Sequence, residues 1–391
     1  MSYELLKLED KEVEGLHSQA LVIDTLFVNS VRCPPGEAQP WFDKLAQEGV
    51  DDIVIIIDRV RELCDKDWLG GTPGRWDWWE KSGVDVIHTT IGVPEGVSGW
   101  EAYHKAVRDI ARWTMRFDKS DKLVKITKAE DIIRAKKEGK YGVILGVQNL
   151  NWLNGDLSNI DLFYKLGVRI MQLTYNLRNL VGSGCTERRD GGLSEFGIQA
   201  IRKMNELGIL IDLSHCGTRT TLEALEVSES PVAFTHTFCR TVHDHVRGKT
   251  DEELKALKEN GGYMGILLVP DFITDKEKPS LDDFVDHVDH AVEILGVDKV
   301  GIGTDHGHYY PKALKKLNRE KMAREIEEQG ISKAGWRRGH FRKEIVEVEG
   351  YRDWRDFPNI TKALIRRGYS TEEIEGILGG NFLKIFAEVV G

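Results

Sequence analysis

A closed parallel (β/α)8 barrel is the fold this sequence predicts, and three observations predict it. Eight short runs of apolar, largely β-branched residues alternate with amphipathic helical stretches along the chain. The runs are almost continuously apolar, which marks strands covered on both faces, as parallel strands are. No repeat, low-complexity tract or Pro/Ser-rich linker divides the 391 residues, so residues 1–391 are expected to form a single domain.

Taken in order, the expected strands are 21–28, 84–91, 141–147, 169–175, 210–215, 232–236, 263–269 and 300–305. Helical periodicity occupies 99–117, 156–166, 193–207, 217–228, 251–259 and 280–295 between them. The run at 53–57 (IVIII) reads equally as a strand or as one face of a helix. Two stretches exceed a minimal barrel. Residues 64–83 set Trp68, Trp76, Trp78 and Trp79 among glycines. Such a stretch either closes over a pocket as a lid or buries its tryptophans against the barrel or a second subunit. Residues 306–357 are highly charged, and are expected to be helical and to lean over the same end of the barrel.

Composition narrows the function. Acidic residues outnumber basic ones by 64 to 54, so the net charge of −10 lacks the basic footprint of a nucleic-acid or anionic-membrane binder. No apolar run approaches the roughly 18 residues of a membrane span, and the charged N-terminus (MSYELLKLEDKEVEG) lacks a signal peptide's apolar stretch. The five cysteines are odd in number and scattered, unlike a disulfide framework. A cytoplasmic protein acting on a small molecule is the expectation, and the twelve histidines are where its chemistry is to be sought.

Reactive groups of such a barrel lie at the C-terminal ends of strands. Three expected ends carry a metal-capable residue: His215 in ILIDLSH, His236 in PVAFTH and Asp305 in VGIGTD. His215 and His236 are 21 residues apart, one strand–helix step, which puts them on adjacent strands. A lone histidine is most often a hydrogen-bonded core or surface residue. Two on successive buried strand ends, joined by a carboxylate, form a ligand set suited to zinc or a similar divalent ion.

The motifs GVRIMQLTYN, GGLSEFGIQAIRKMNELGILIDLSH, SPVAFTHTFCR, HVRGKTDEELKALKENGG, VGIGTD and ILGGNFLKIF resemble the renal (membrane) dipeptidase family of the amidohydrolase superfamily, from about residue 20 onward. The resemblance implies a metal-dependent (β/α)8 TIM barrel of the amidohydrolase type, here with the Trp-rich insertion and helical C-terminal additions. It also implies dipeptide hydrolysis by a hydroxide bridging two zinc ions. It carries over His215 and His236 as ligands of the second metal, Asp305 as the catalytic acid and Arg247 as the arginine that holds the substrate carboxylate. Elsewhere the sequence departs from the family pattern. Of the family's D-G-H-x-D motif only Asp24 remains, with Leu26 and Val28 at the two ligand positions. Gln148 stands for the bridging glutamate, and Tyr175 for a histidine that resembles a substrate-polarising group.

A bimetallic centre and true dipeptidase activity are therefore not expected. Three states stay open. One divalent ion, zinc first and iron or manganese next, is held by His215, His236, Gln148 and water, with Asp305 as general base or fourth ligand. Alternatively His88, His306 or His308 completes the site, with Asp24 a further ligand or supporting group. The third state binds no metal. In the first, Asp305 moves the proton, Tyr175 donates to the oxyanion, and Arg247 offers a fork to a carboxylate unless it merely answers Asp251 or Glu252. The expected reaction is hydrolysis of an amide, lactam or ester in a small carboxylate-bearing substrate; the alternatives are a metal-dependent lyase or decarboxylase and a metal-free ligand-binding protein. Arg178, Arg188 and Arg189 read as contacts to an anionic substrate or as a solvated charge run. Cys185 and Cys216 read as packing, His243 and His245 as supporting or surface residues, and His287 and His290 as an outer polar helix face. A homodimer remains open, dimers being common in the resembled family.

Overall fold

The computed structural model describes residues 10–27, 44, 75–92, 96–306, 312–342 and 346–391. The strands are β1 Ile23–Phe27, β2 Val86–Thr90, β3 Leu123–Ile126, β4 Tyr141–Val147, β5 Val168–Gln172, β6 Leu210–Asp212, β7 Ala233–Thr237, β8 Tyr263–Ile266 and β9 Val300–Ile302. All pair in parallel, in the order β1-β2-β4-β5-β6-β7-β8-β9. The β1–β9 seam is closed by the Asp305 N–H donating to Leu26 O (3.0 Å) and the Thr25 hydroxyl donating to Ile302 O (2.9 Å). This is the (β/α)8 TIM barrel, and its eight staves are the eight expected strands. β3 is an addition the sequence reading lacks. It is four residues long and pairs only with Tyr141–Ile144, on the edge of β4 that β5 takes over from Leu145. The helix Ala129–Lys137 after it was also not expected, because its apolar face is short and crowded by charge.

Strand periodicity places alternate side chains inside the barrel. The lowest inner layer is apolar: Ile23, Val86, Ile144, Ile170, Leu210, Ala233 and Tyr263 pack with Phe382, Ile385 and Phe386 of the helix Asn381–Val390, which plugs the bottom. Residues of the other parity, such as Ile87, Val143, Met171, Ile211 and Phe234, face the surrounding helices. Two positions further along, the inner layer turns polar, with Thr25, His88, Gln172, Asp212 and Thr235 fully buried. Gly146 makes room for this layer, since a Cβ there would stand 2.1 Å from His88 Nε2.

The two additions behave differently. Of 64–83, residues 64–74, with Trp68, lie outside the described set, as do 53–57, Val28, His308 and the side chains of Trp76 and Trp78. Residues Arg75–Ser82 form a helix. Its Trp79 is buried, stacks on Tyr141 at 4.5 Å and donates to Val84 O (2.6 Å). Trp79 thus serves packing at the start of β4 and is no lid residue. In 306–357, the helix Lys312–Gln329 is followed by a non-helical strap at 331–342. Helix formation stops there at Gly330 and Gly335, both with positive φ.

The strap is sewn to the loops that follow β5, β7 and β8. The Asn176 Nδ2 donates to Ala334 O (2.7 Å), the Thr186 hydroxyl to Gly335 O (2.7 Å), His245 Nε2 to His340 O (3.1 Å) and Arg342 N to Asp271 Oδ1 (3.1 Å). It forms a roof on the C-terminal end of the barrel. His287 corrects another expectation. It is fully buried, accepting from Cys239 N (3.2 Å) and donating to Ile273 O (2.9 Å), whereas His290 meets Asp251 at the surface.

Candidate active site

β6 and β7 end on the two histidines the sequence singles out, and their imidazoles meet. His215 Nε2 stands 3.0 Å from His236 Nε2, and Gln148 Nε2 stands 3.1 Å from the same nitrogen. The far side of each ring fixes its tautomer. Asn176 donates its Nδ2 to Ala334 O, so its Oδ1 is the atom 2.8 Å from His215 Nδ1 and accepts that proton. His236 Nδ1 lies 2.8 Å from the Thr235 hydroxyl, which itself donates to Asp212 Oδ2 (2.6 Å) and so accepts from the ring. Asp212 accepts at every contact, from Ser214 N (2.9 Å), Ser214 Oγ (2.5 Å) and Thr235 N (3.1 Å) as well. Both Nε2 atoms therefore present lone pairs to one another. Burial, reinforced by Arg247, holds both imidazoles well below the ordinary histidine range and keeps them neutral.

Two lone pairs aimed at each other repel unless a cation lies between them. Nitrogens bound to one zinc ion at about 2.0–2.1 Å stand about 2.9–3.4 Å apart for ligand angles near 90–109°, and the observed 3.0 Å falls in that interval. Each ring is oriented through its other nitrogen, as metal-binding histidines are. The residues present thus fit one divalent ion, with the Gln148 carboxamide able to turn its oxygen inward. Among the described residues no third His, Cys, Asp or Glu joins them in a metal-holding group. Asp305 and His88, both expected as ligands, stand apart from the pair in this respect.

The other expected residues surround the pair. Asp305 follows β9 with φ +52°, a left-handed conformation that Asp tolerates better than most residues. Burial raises its carboxyl to about 7, against the pull of Arg247. Tyr175 stacks on the His215 ring at 4.1 Å. Arg247 is fully buried and is not a surface arginine. Its Nη1 donates to Ser214 O (2.6 Å) and Thr237 Oγ1 (3.1 Å), and its Nη2 to His236 O (2.5 Å). Two of the five guanidinium N–H groups are left over, and the one on Nε has no partner.

His88 donates Nδ1–H to Thr25 O (2.8 Å), leaving Nε2 buried and unpartnered one layer below the site. Asp24 accepts from Thr304 N (2.8 Å), Thr304 Oγ1 (2.7 Å) and Leu26 N (3.3 Å), so it fastens the strand end that carries Asp305. The pairing of β1 with β2 shifts register between Asp24 and Phe27. His306 packs edge-on to Tyr351 at 5.3 Å. Asn176, Asp212 and Thr235 were missed. A carboxylate inside the apolar run ILID was the available signal for Asp212; the other two act only through contacts across strands and loops.

The family model described as membrane dipeptidase (peptidase family M19) matches residues 79–338 and 339–390. The dipeptidase tcpJ of Claviceps purpurea is 31% identical over 274 residues, 69% of this chain and 56% of that protein. An uncharacterized dipeptidase of Schizosaccharomyces pombe is 31% identical over 66% of this chain and 56% of its own length. This chain thus spans little more than half of the curated relatives it matches. A crystal structure of an amidohydrolase from Pseudomonas aeruginosa superposes with a TM-score of 0.74 at 28% identity, covering 96% of this chain and 98% of that one. A Rhodobacter sphaeroides metallopeptidase, solved with a phosphinate mimic of L-Ala-D-Ala, shares the fold at a TM-score of 0.71 and 16% identity, over 95% and 99% of the two chains.

Proposed function

This chain belongs to the membrane dipeptidase family, peptidase family M19, and on that premise we propose that it is a hydrolase working with a single divalent metal ion. The substrate is a small molecule with a carboxylate and an amide, lactam or ester bond. The observation that carries the reading is the 3.0 Å approach of two Nε2 lone pairs whose tautomers are fixed from behind. His215, His236 and Gln148 would hold the ion, and their donor types favour zinc, with iron or manganese next. Leu26 and Gln148, where the family pattern has a histidine and a bridging glutamate, argue against a second ion.

When an ion is bound, the chemistry it supplies is Lewis acidity, which acidifies water and polarises a scissile carbonyl. The remaining work falls to the chain. Asp305, its carboxyl raised to about 7, takes a proton from the attacking water and returns it to the leaving group. Arg247 binds the substrate carboxylate through Nε–H and its one remaining terminal N–H, the other three being held by Ser214, Thr237 and His236. Tyr175, stacked on His215, offers a hydroxyl toward the developing oxyanion.

Elemental analysis of the purified protein tests this, with one equivalent expected. Two equivalents would revive the bimetallic centre, and none would favour a ligand-binding protein. Hydrolysis in labelled water should place the label in product; its absence would leave a lyase. With Asp305 as the base, kcat/KM should fall about tenfold per pH unit below about 7, and Asp305→Asn should abolish that limb.

A further inference from the structure

Among the described residues, three segments at the mouth of this acidic barrel are basic. These are residues 174–190 after β5, 238–250 after β7, and the strap at 331–342. They are tied to one another by Asn176, Thr186 and His245. Each also touches the imidazole pair or its supports. Cys185 N donates to His215 O (2.7 Å), Arg247 to His236 O, and the strap's Ala334 O holds the amide that orients His215. Together the three segments contain ten Lys and Arg against three Asp and Glu, in a chain whose net charge is −10. The strap (ISKAGWRRGHFR) has four basic residues and no acidic one.

Most of this charge is uncompensated. Arg240 pairs with Asp244, Arg342 with Asp271 and Lys249 with Glu253. The side chains of Arg178, Arg188, Arg189, Lys333, Arg337 and Arg338 have no carboxylate partner among the described residues, and all but Arg337 are exposed. A solvated charge run would mix signs, as the helix Lys312–Gln329 next to the strap does. Like charges gathered on a rim cost self-repulsion, and they focus a field that concentrates opposite charge at the cleft.

We propose that the substrate carries a second anionic group, carboxylate or phosphate, besides the carboxylate assigned to Arg247, and that this basic collar selects it. The inference rests on the hydrolase reading for the position of the first carboxylate, but the collar stands on its own charges. The first group enters the buried fork; the second remains at the rim, where Arg188, Arg189 and Arg338 are in water. Screening there is strong, so the preference fades with salt.

Calorimetric titration of the full-length protein, as purified, tests it without turnover. N-acetylalanine presents one carboxylate, N-acetylaspartate two, and O-phospho-N-acetylserine a carboxylate and a phosphate. Both doubly substituted probes should bind at least about tenfold more tightly than N-acetylalanine at low ionic strength, and N-acetylaspartate only about threefold at 0.5 M salt. The phosphate probe, with about one more negative charge than N-acetylaspartate, should be the more salt-sensitive of the two. The triple variant Arg188→Ala, Arg189→Ala, Arg338→Ala should lose that advantage while binding N-acetylalanine as before. Equal affinity for one and two anionic groups, or an advantage untouched by the triple variant, would overturn the proposal. An Arg247→Gln variant that binds N-acetylalanine undiminished would instead overturn the role of Arg247, while its retained preference for N-acetylaspartate would support the collar.

Discussion

Two ends of this barrel each bury a carboxylate beside a strand terminus, and they use it in opposite ways. At the β6–β7 end, Asp212 orders Ser214 and Thr235, and through the Thr235 hydroxyl it orients His236. At the β1–β9 seam, Asp24 meets the Thr304 amide and hydroxyl in a setting where Leu26 supplies no charge and no ligand, and burial raises its carboxyl to about 7. The first carboxylate serves an imidazole of the pair; the second serves the backbone that presents Asp305. The difference teaches that a buried acid beside an apolar neighbour still has polar work to do, here as a fastener.

The sharpest way to break the comparison is at the imidazoles. His215→Ala or His236→Ala should release the metal and lower kcat/KM by about 10³-fold or more, while Asp24→Asn leaves metal content unchanged by elemental analysis. Next, Thr235→Ala and Asp212→Asn should weaken metal affinity about 10–100-fold in chelator competition, with Thr235→Ser restoring it. Asn176→Ala should cost about tenfold by the same measure, since water can replace part of its acceptor.

The smallest effect is on stability, and there the two ends have opposite signs. Asp24 has a folded pKa above its unfolded one, so its stabilisation is complete below pH 3.8 and is lost as pH rises through about 7. His215 and His236 have depressed values, so theirs is complete above pH 6.5 and is lost as pH falls. In chelator-treated protein, melting temperature should therefore drop by a few degrees on either side of a maximum. Asp24→Asn should remove part of the alkaline fall and leave the acid side as it is, Asp305 with its carboxyl also raised to about 7 supplying the rest, which pH-resolved calorimetry would show.

Much of this was legible in the residues because barrel strands are apolar runs whose ends are set by polar residues. Eight strand positions and the facing of His215 and His236 follow from that pattern. Spacing alone left Asp24 open between further ligand and supporting group, because the register shift before Phe27 is invisible in the sequence. Asn176 and Thr235 were passed over for a different reason. Their roles depend on contacts to Ala334 and to Asp212, distances that spacing along the chain cannot reveal. Of the two roles open to the Trp-rich stretch, Trp79 takes the packing one, its indole stacked on Tyr141.

The roof has a consequence for how the site comes into being. Asn176 and Ala334 are 158 residues apart, and His245 and His340 are 95 apart. Ribosomal synthesis delivers both imidazoles, Asp212 and Thr235 well before the strap exists, and contacts so distant in sequence close late. The order of birth is therefore ligands first and cover last. While the chain is still growing, the amide that fixes the His215 tautomer has its ring-facing end in place and its anchor missing.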